Sequence, residues 1–313
     1  MNLSGIKSSL IVFLTSLFSR LFSPMYYSKL LLFGEYTVVK GSRALAMPYA
    51  EYSANWSFEH GEKQQESNQA LAAFQAHLMG REDLLCRLNM DAFAEDLVRG
   101  LWLDSDIPTG YGLGSSGSVC AAVYDRYGLD KMKGENADEL AQLKAIFAQL
   151  ESYFHGASSG ADPLICYLNK AVIMSKNGLQ TVATPHLNEG KGGIFLLNTH
   201  ISRSTEPLVN LFLEKCKNPE FERKISTELA VYTDECIDGF LQKNKKTFSE
   251  NLRKLSDFQY EHFQEMIPEK YRQIWMDGLT SGNYTLKLCG AGGGGFILGF
   301  TEDFKHVDLM INS

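Results

Sequence analysis

Apolar residues recur along this chain at two different periods, and the places where one gives way to the other mark the elements. Residues 29–33 are almost continuously apolar and read as a strand, followed by further strand character at 37–39, 44–49 and 52–58. Residues 66–79 carry Leu71, Phe74 and Leu78 at helical spacing, and 91–103 reads as a short helix running into a strand. Val119, Cys120, Val123, Tyr124 and Tyr127 share one helix face. So do Leu140, Leu143, Phe147, Leu150 and Phe154 within a helix over 136–154. Strands at 171–174 and 193–197 flank a glycine-rich, polar segment at 178–192. Beyond it helical periodicity dominates, at 205–217, 222–243, 247–264 and 268–281. The chain then returns to strand at 285–288 and 296–298.

The glycine- and polar-rich segment at 178–192 marks a domain boundary, with strands and helices mixed before it and helices dominant after it. Residues 1–24 stand apart. Leu10, Phe13, Leu14, Leu17, Phe18, Leu21 and Phe22 form an apolar stripe, but the run is too short and interrupted for a membrane span and is followed by no small-residue cleavage site. We read 1–24 as a tail outside the fold, with Met25 as the true start.

Two interruptions of the pattern are made of glycine. The first, Pro108 to Ser118, alternates glycines with larger residues, ends in Ser115 and Ser116, and opens directly into the helix that follows. A glycine loop entering a helix gathers backbone N–H groups and the positive end of the helix dipole around one point, which is a phosphate site in physical terms. The second runs from Gly290 to Gly295 between the last two strands. Consecutive glycines weaken a strand, so a loop here needs a packing reason.

Composition changes this picture in only a few ways. The chain has 313 residues, 44% hydrophobic and 21% charged, enough for a sizeable core. Its 30 basic and 37 acidic residues leave a net charge of −7, which argues against nucleic acid as the main partner. Six cysteines lie scattered with no zinc-ligand spacing and read as reduced, mostly buried thiols of a cytoplasmic protein.

Four polar residues stand out against their surroundings. Lys29 is the one charge in an apolar strand; it is either a solvent-facing strand start or a site residue. Glu151 points with the apolar stripe of its helix, where a carboxylate needs a partner or a task. Asp162 follows a glycine-serine loop and either caps the next helix, with Pro163 beside it, or projects into a cleft. Ser116 either caps its helix or offers a hydroxyl oxygen to a metal ion. His155, at the end of a helix, reads as a partner for the dipole rather than as a base.

Three segments, KLLLFGEYTVVKG, PTGYGLGSSGS and KLCGAGGGGF, occur in this order from about Tyr27 to Phe300. Together they resemble the three motifs of the GHMP kinase superfamily. Two more, ESYFHGASSGAD and NTHISRST, are similar to mevalonate kinases within it. The resemblance implies an α+β, two-domain kinase, with an N-terminal nucleotide-binding mixed α/β domain over 25–185 and a helix-rich C-terminal domain with an antiparallel sheet over 186–313. It implies that the protein uses ATP and Mg2+ to phosphorylate the hydroxyl of (R)-mevalonate, with phosphomevalonate kinase or another small-molecule kinase of the superfamily the nearest alternative and an inactive ligand sensor a more distant one. It assigns Gly112, Leu113, Gly114, Ser115, Ser116 and Gly117 to the ATP phosphates, and Ser116 and Glu151 to the metal. It makes Asp162 and Lys29 catalytic. Lys29, Glu35, Tyr36, Asp162, Arg203 and Thr205 fall to the substrate, and Gly290, Gly292, Gly293 and Gly294 form a loop backing the site. Mevalonate kinases usually have histidine where Tyr36 stands, whereas phosphomevalonate kinases often have a glutamate-tyrosine pair like Glu35 and Tyr36. The resemblance implies no stable membrane insertion, and a homodimer is compatible with it.

Overall fold

The computed structural model describes residues 24–185, 190–202 and 205–311. The expectations for the N-terminal tail and for Arg203 therefore lie outside the described residues, apart from Pro24. In chain order the elements begin with β1 (Met25–Phe33), a 3-10 turn (Thr37–Lys40), β2 (Ala44–Ser57), α1 (Gln64–Met79), α2 (Glu82–Leu85), α3 (Met90–Val98) and β3 (Trp102–Ser105). They continue with α4 (Ser115–Tyr127), α5 (Ala137–His155), α6 (Ala161–Leu168), β4 (Ala171–Ser175), β5 (Gly178–Val182) and β6 (Gly193–Asn198). The last part comprises α7 (Glu206–Lys215), α8 (Pro219–Lys224), a π turn (Ile225–Leu229), α9 (Ala230–Leu241), α10 (Lys245–His262), α11 (Arg272–Ser281), β7 (Tyr284–Leu288), β8 (Phe296–Thr301) and α12 (Lys305–Ile311).

The strands form two antiparallel sheets. In the first, the long β2 pairs with β1 along one side, and on the other with β4 at its start and β3 at its end; β5 extends the sheet beyond β4. In the second, β8 lies between β6 and β7. The ends of β1 and β8 meet where the Phe33 and Phe300 rings stack at 6.0 Å, with Phe248 edge-on to both. One continuous cluster of buried side chains runs from Tyr26 to Phe300, with Trp275, Phe263 and Phe212 among its largest members. Burial of aromatic and aliphatic groups on this scale is the main favourable term in folding.

Three local expectations are corrected. Residues 37–39 form a 3-10 turn and not a strand. Tyr36 has φ 66°, Val38 N–H donates to Gly34 O at 3.2 Å, and Gly41 closes the turn in the left-handed region, so the β-branched Thr37 and valines yield to a buried aromatic anchor at Tyr36. Residues 178–182, expected within a polar connection, form the edge strand β5, because the turn at Gly178 folds them back onto β4. The helix expected over 222–243 begins at Pro219 under an Asn218 side-chain cap and passes through the π turn before α9. All six cysteines are free, and five are buried. Among the described residues no helix is long and apolar enough to cross a membrane.

Candidate active site

The first glycine loop leaves β3 and enters α4 with Gly114 as N-cap at φ 79°; Ser115, Ser116 and Gly117 form the first turn. No side chain caps this helix, so Ser116 is not spent as a cap. The loop is held down at Leu113, which is fully buried and whose carbonyl accepts from Lys29 N–H at 2.9 Å. The first N–H groups of a helix have no intrahelical acceptor, so this turn presents donors to an anion. Gly117 packs against the start of α6. A Cβ there would stand 3.0 Å from the Asp162 carbonyl carbon and the Pro163 nitrogen, so a larger residue would push the two helix starts apart.

Asp162 lies in the first turn of α6, whose N-cap is Gly160, so the aspartate does not cap the helix either. It pairs instead with Lys29, at 2.8 Å between Nζ and Oδ2. The lysine side chain is 10% exposed and the aspartate 36%, so the pair opens toward solvent on the carboxylate side. Burial works against the Lys29 ammonium, but the adjacent Asp162 charge and hydrogen bond outweigh it and raise the Lys29 pKa. Lys29 runs beneath the glycine loop, because a Cβ on Gly114 would meet Lys29 Cγ at 2.8 Å.

Beside this pair lies a network of hydroxyls around Glu151. The apolar stripe of α5 carries Glu151 inward to 4% exposure, while Phe154, expected on the same face, is exposed at the helix end. Ser116 Oγ donates to Glu151 Oε1 at 2.9 Å, and Ser158 Oγ donates to Oε2. His155 Nε2 lies 3.0 Å from Ser116 Oγ; since the serine proton goes to the carboxylate, the imidazole is the donor. His155 thus belongs to this network rather than serving only the helix dipole. Burial and the Asp162 charge raise the Glu151 pKa, opposed by the two serine hydrogen bonds and Lys29.

The second glycine loop packs behind the first. A Cβ on Gly295 would be 2.8 Å from the Tyr111 carbonyl, and Gly295 N–H donates to Ile201 O at 2.7 Å. Gly290, Gly292 and Gly293 adopt positive φ, and Gly293 N–H reaches Met266 O at 2.6 Å. The stretch before Arg203 also abuts the first loop, with Ser202 Oγ 2.8 Å from where a Gly110 Cβ would be. Thr205 is an exposed N-cap position of α7, and its hydroxyl makes no capping bond.

Glu35 and Tyr36 do not join the Lys29–Asp162 cluster. Glu35 is sealed in an ion pair with Lys287, whose side chain is fully buried and also donates to Leu288 O at 2.6 Å. Burial raises the Glu35 pKa, against the pull of Lys287 and a backbone hydrogen bond from Gly290. The Tyr36 ring packs on Phe212 and Phe263 and its hydroxyl donates to Ala291 O. Both residues therefore anchor the second glycine loop. Ser158 and Lys287 were missed from sequence. Lys287 had a signal like that of Lys29, a single charge within the apolar run of β7.

No group of three or more histidine, cysteine, aspartate or glutamate residues that could hold a metal occurs among the described residues. The donor set is one carboxylate and one hydroxyl, at Glu151 and Ser116. That suits Mg2+, a hard ion that keeps most of its waters and binds through one or two protein oxygens and the substrate phosphates.

Residues 77–170 match the GHMP kinases N terminal domain. A mevalonate kinase of Dictyostelium discoideum is 27% identical over 237 residues, covering 67% of this chain and 60% of that protein. The fold is shared with L. major mevalonate kinase in complex with R-mevalonate, at a TM-score of 0.59 and 18% identity over 93% of this chain and 90% of that one. It is shared equally with Streptococcus pneumoniae phosphomevalonate kinase, at 0.59 and 16% identity over 93% and 94% of the two chains. Residues 77–170 thus match a GHMP kinases N terminal domain, and the chain that carries the three glycine- and lysine-bearing motifs in order is similar to a mevalonate kinase in sequence and shares the fold of such kinases.

Proposed function

We propose that this protein transfers the terminal phosphoryl group of ATP to the hydroxyl of (R)-mevalonate, giving 5-phosphomevalonate and ADP. The observation that carries this reading is the Lys29–Asp162 pair, seated directly beneath the first glycine loop with Ser116 and Glu151 beside it. Phosphoryl transfer needs positioning and charge stabilisation more than covalent help from the protein, and these groups supply both. The N–H groups of residues 112–117 hold the phosphates. Asp162 orients the acceptor hydroxyl and takes its proton as the new P–O bond forms and the bond to the ADP oxygen breaks. Lys29 keeps Asp162 ionised and stabilises the developing charge on the acceptor oxygen. Ser116 and Glu151 would hold Mg2+, which when bound screens the phosphate charge. Residues 25–185 would form the ATP-binding domain and 186–313 its C-terminal partner, with the acceptor between them.

Mevalonate is favoured by the resemblance of the 151–162 and 198–205 segments to mevalonate kinases and by the Dictyostelium discoideum relative. Arg203 offers a fork suited to a carboxylate. Phosphomevalonate is the second reading, favoured by the equal fold likeness to a phosphomevalonate kinase. Tyr36 does not weigh toward it, since the tyrosine is buried under the second glycine loop. ADP release from ATP and Mg2+, measured with each acceptor in turn, tests the proposal. Turnover with mevalonate supports it; turnover with phosphomevalonate alone overturns the substrate.

A further inference from the structure

We infer that Ser158 is a positioning residue for the proposed metal-binding carboxylate, holding Glu151 toward the site and tying it to the helix that carries Asp162. The inference rests on the kinase reading above. Glu151 is buried at 4% exposure among apolar neighbours on α5, where a glutamate has several rotamers and only some would face Ser116. One hydroxyl on each carboxylate oxygen selects among them: Ser116 holds Oε1 and Ser158 holds Oε2.

Ser158 is itself held on the other side. Its oxygen accepts the Gly160 N–H at 3.0 Å, and Gly160 is the N-cap of α6, two residues before Asp162. That N-cap has no slack against α5, because a Cβ on Gly160 would stand 2.1 Å from the Lys144 carbonyl. The connection from α5 to α6 is thus fastened at two points, and Ser158 is the one that includes Glu151. A serine serving only the local turn would need its oxygen alone, to accept from Gly160. Here the hydroxyl proton is also used, and it goes to the carboxylate. Neither contact is available to alanine, whereas threonine keeps both.

Outer groups that orient a metal ligand typically change metal affinity when removed by about 10-fold or more. The test uses Mn2+ as the probe, titrated into the full-length protein with ADP and followed by electron paramagnetic resonance. In S158A, Mn2+ affinity with ADP present should fall about 10-fold, with ADP affinity in the absence of metal unchanged. The matched pair S158T and S158V separates the hydroxyl from side-chain shape: S158T should bind Mn2+ like the wild type and S158V like S158A. Equal Mn2+ affinity in S158T and S158V, high or low, overturns the inference and leaves the kinase reading standing. Absence of Mn2+ binding by the wild-type protein with ADP overturns both.

Discussion

Two of the lysine–carboxylate pairs in this molecule start from a lysine on a strand and end in opposite surroundings. Lys29–Asp162 joins a strand to a helix start with the aspartate 36% exposed, whereas Lys287–Glu35 joins a strand to a turn with both side chains at 2% or less. In the first, the carboxylate keeps an open side beside the first glycine loop. In the second, Lys287 also bonds Leu288 O, and Glu35 takes a backbone hydrogen bond from Gly290. A carboxylate that must take a proton from a substrate has to be reachable; one that is sealed and fully bonded can only hold parts together. Solvent access, and not the presence of an ion pair, separates the pair proposed for chemistry from the structural one.

The comparison can be broken most sharply at Asp162. D162N should lower turnover by about 10^2- to 10^4-fold while nucleotide affinity changes little; it leaves the buried Lys29 ammonium without its partner, so the urea unfolding midpoint should also fall, by less than for a pair sealed on both sides. Unchanged turnover would remove Asp162 from the proposed chemistry.

K287M should behave in the reverse way. It strands Glu35 without its partner and should cost about 3–5 kcal/mol of stability in urea unfolding. The double variant E35Q/K287M should recover part of that loss, because neutral glutamine has no uncompensated charge. If K287M unfolds like the wild type, the pair is not the pin described here.

The Lys29 titration gives a third contrast, with a worked sign. Asp162 raises the Lys29 pKa against burial, so D162N should lower it, burial then acting unopposed. In the wild type, the pair's contribution to stability is fully present below the unfolded lysine pKa and is lost as pH rises through the raised folded value. Nitrogen NMR of the Lys29 ammonium in the two proteins reads this directly, and an unmoved titration in D162N would contradict the pairing.

The smallest effect belongs to Y36F. Losing the hydrogen bond to Ala291 O should cost about 1 kcal/mol, visible as a lower melting temperature, with turnover close to wild type. A large loss of turnover with mevalonate would instead return Tyr36 to the substrate.

Much of the candidate site was legible in the chain. Lys29 and Glu151 each break an apolar pattern, and a charge in such a place has to be paired or used. The glycine loop before α4 announced itself because no other composition lets a backbone come so close to an anion and to a neighbouring helix start. Asp162 and Ser116 were ambiguous between cap and site; glycine N-caps at Gly160 and Gly114 removed the first alternative. Glu35 and Tyr36 were expected at the substrate; their partners, Lys287 and the Ala291 carbonyl, lie more than 250 residues away in the chain, and no local pattern announces those contacts.

By itself, then, the sequence determined most of the elements, the two glycine loops and much of the short list of groups able to do chemistry. These follow from periodicity, backbone freedom and the cost of burying charge, which act over a few residues. Only the tertiary structure decided which lysine meets which carboxylate, that two serines and a histidine converge around Glu151, and which pair stays open. Those outcomes depend on packing between segments as far apart as Glu35 and Lys287, and on burial, which no local stretch of chain specifies.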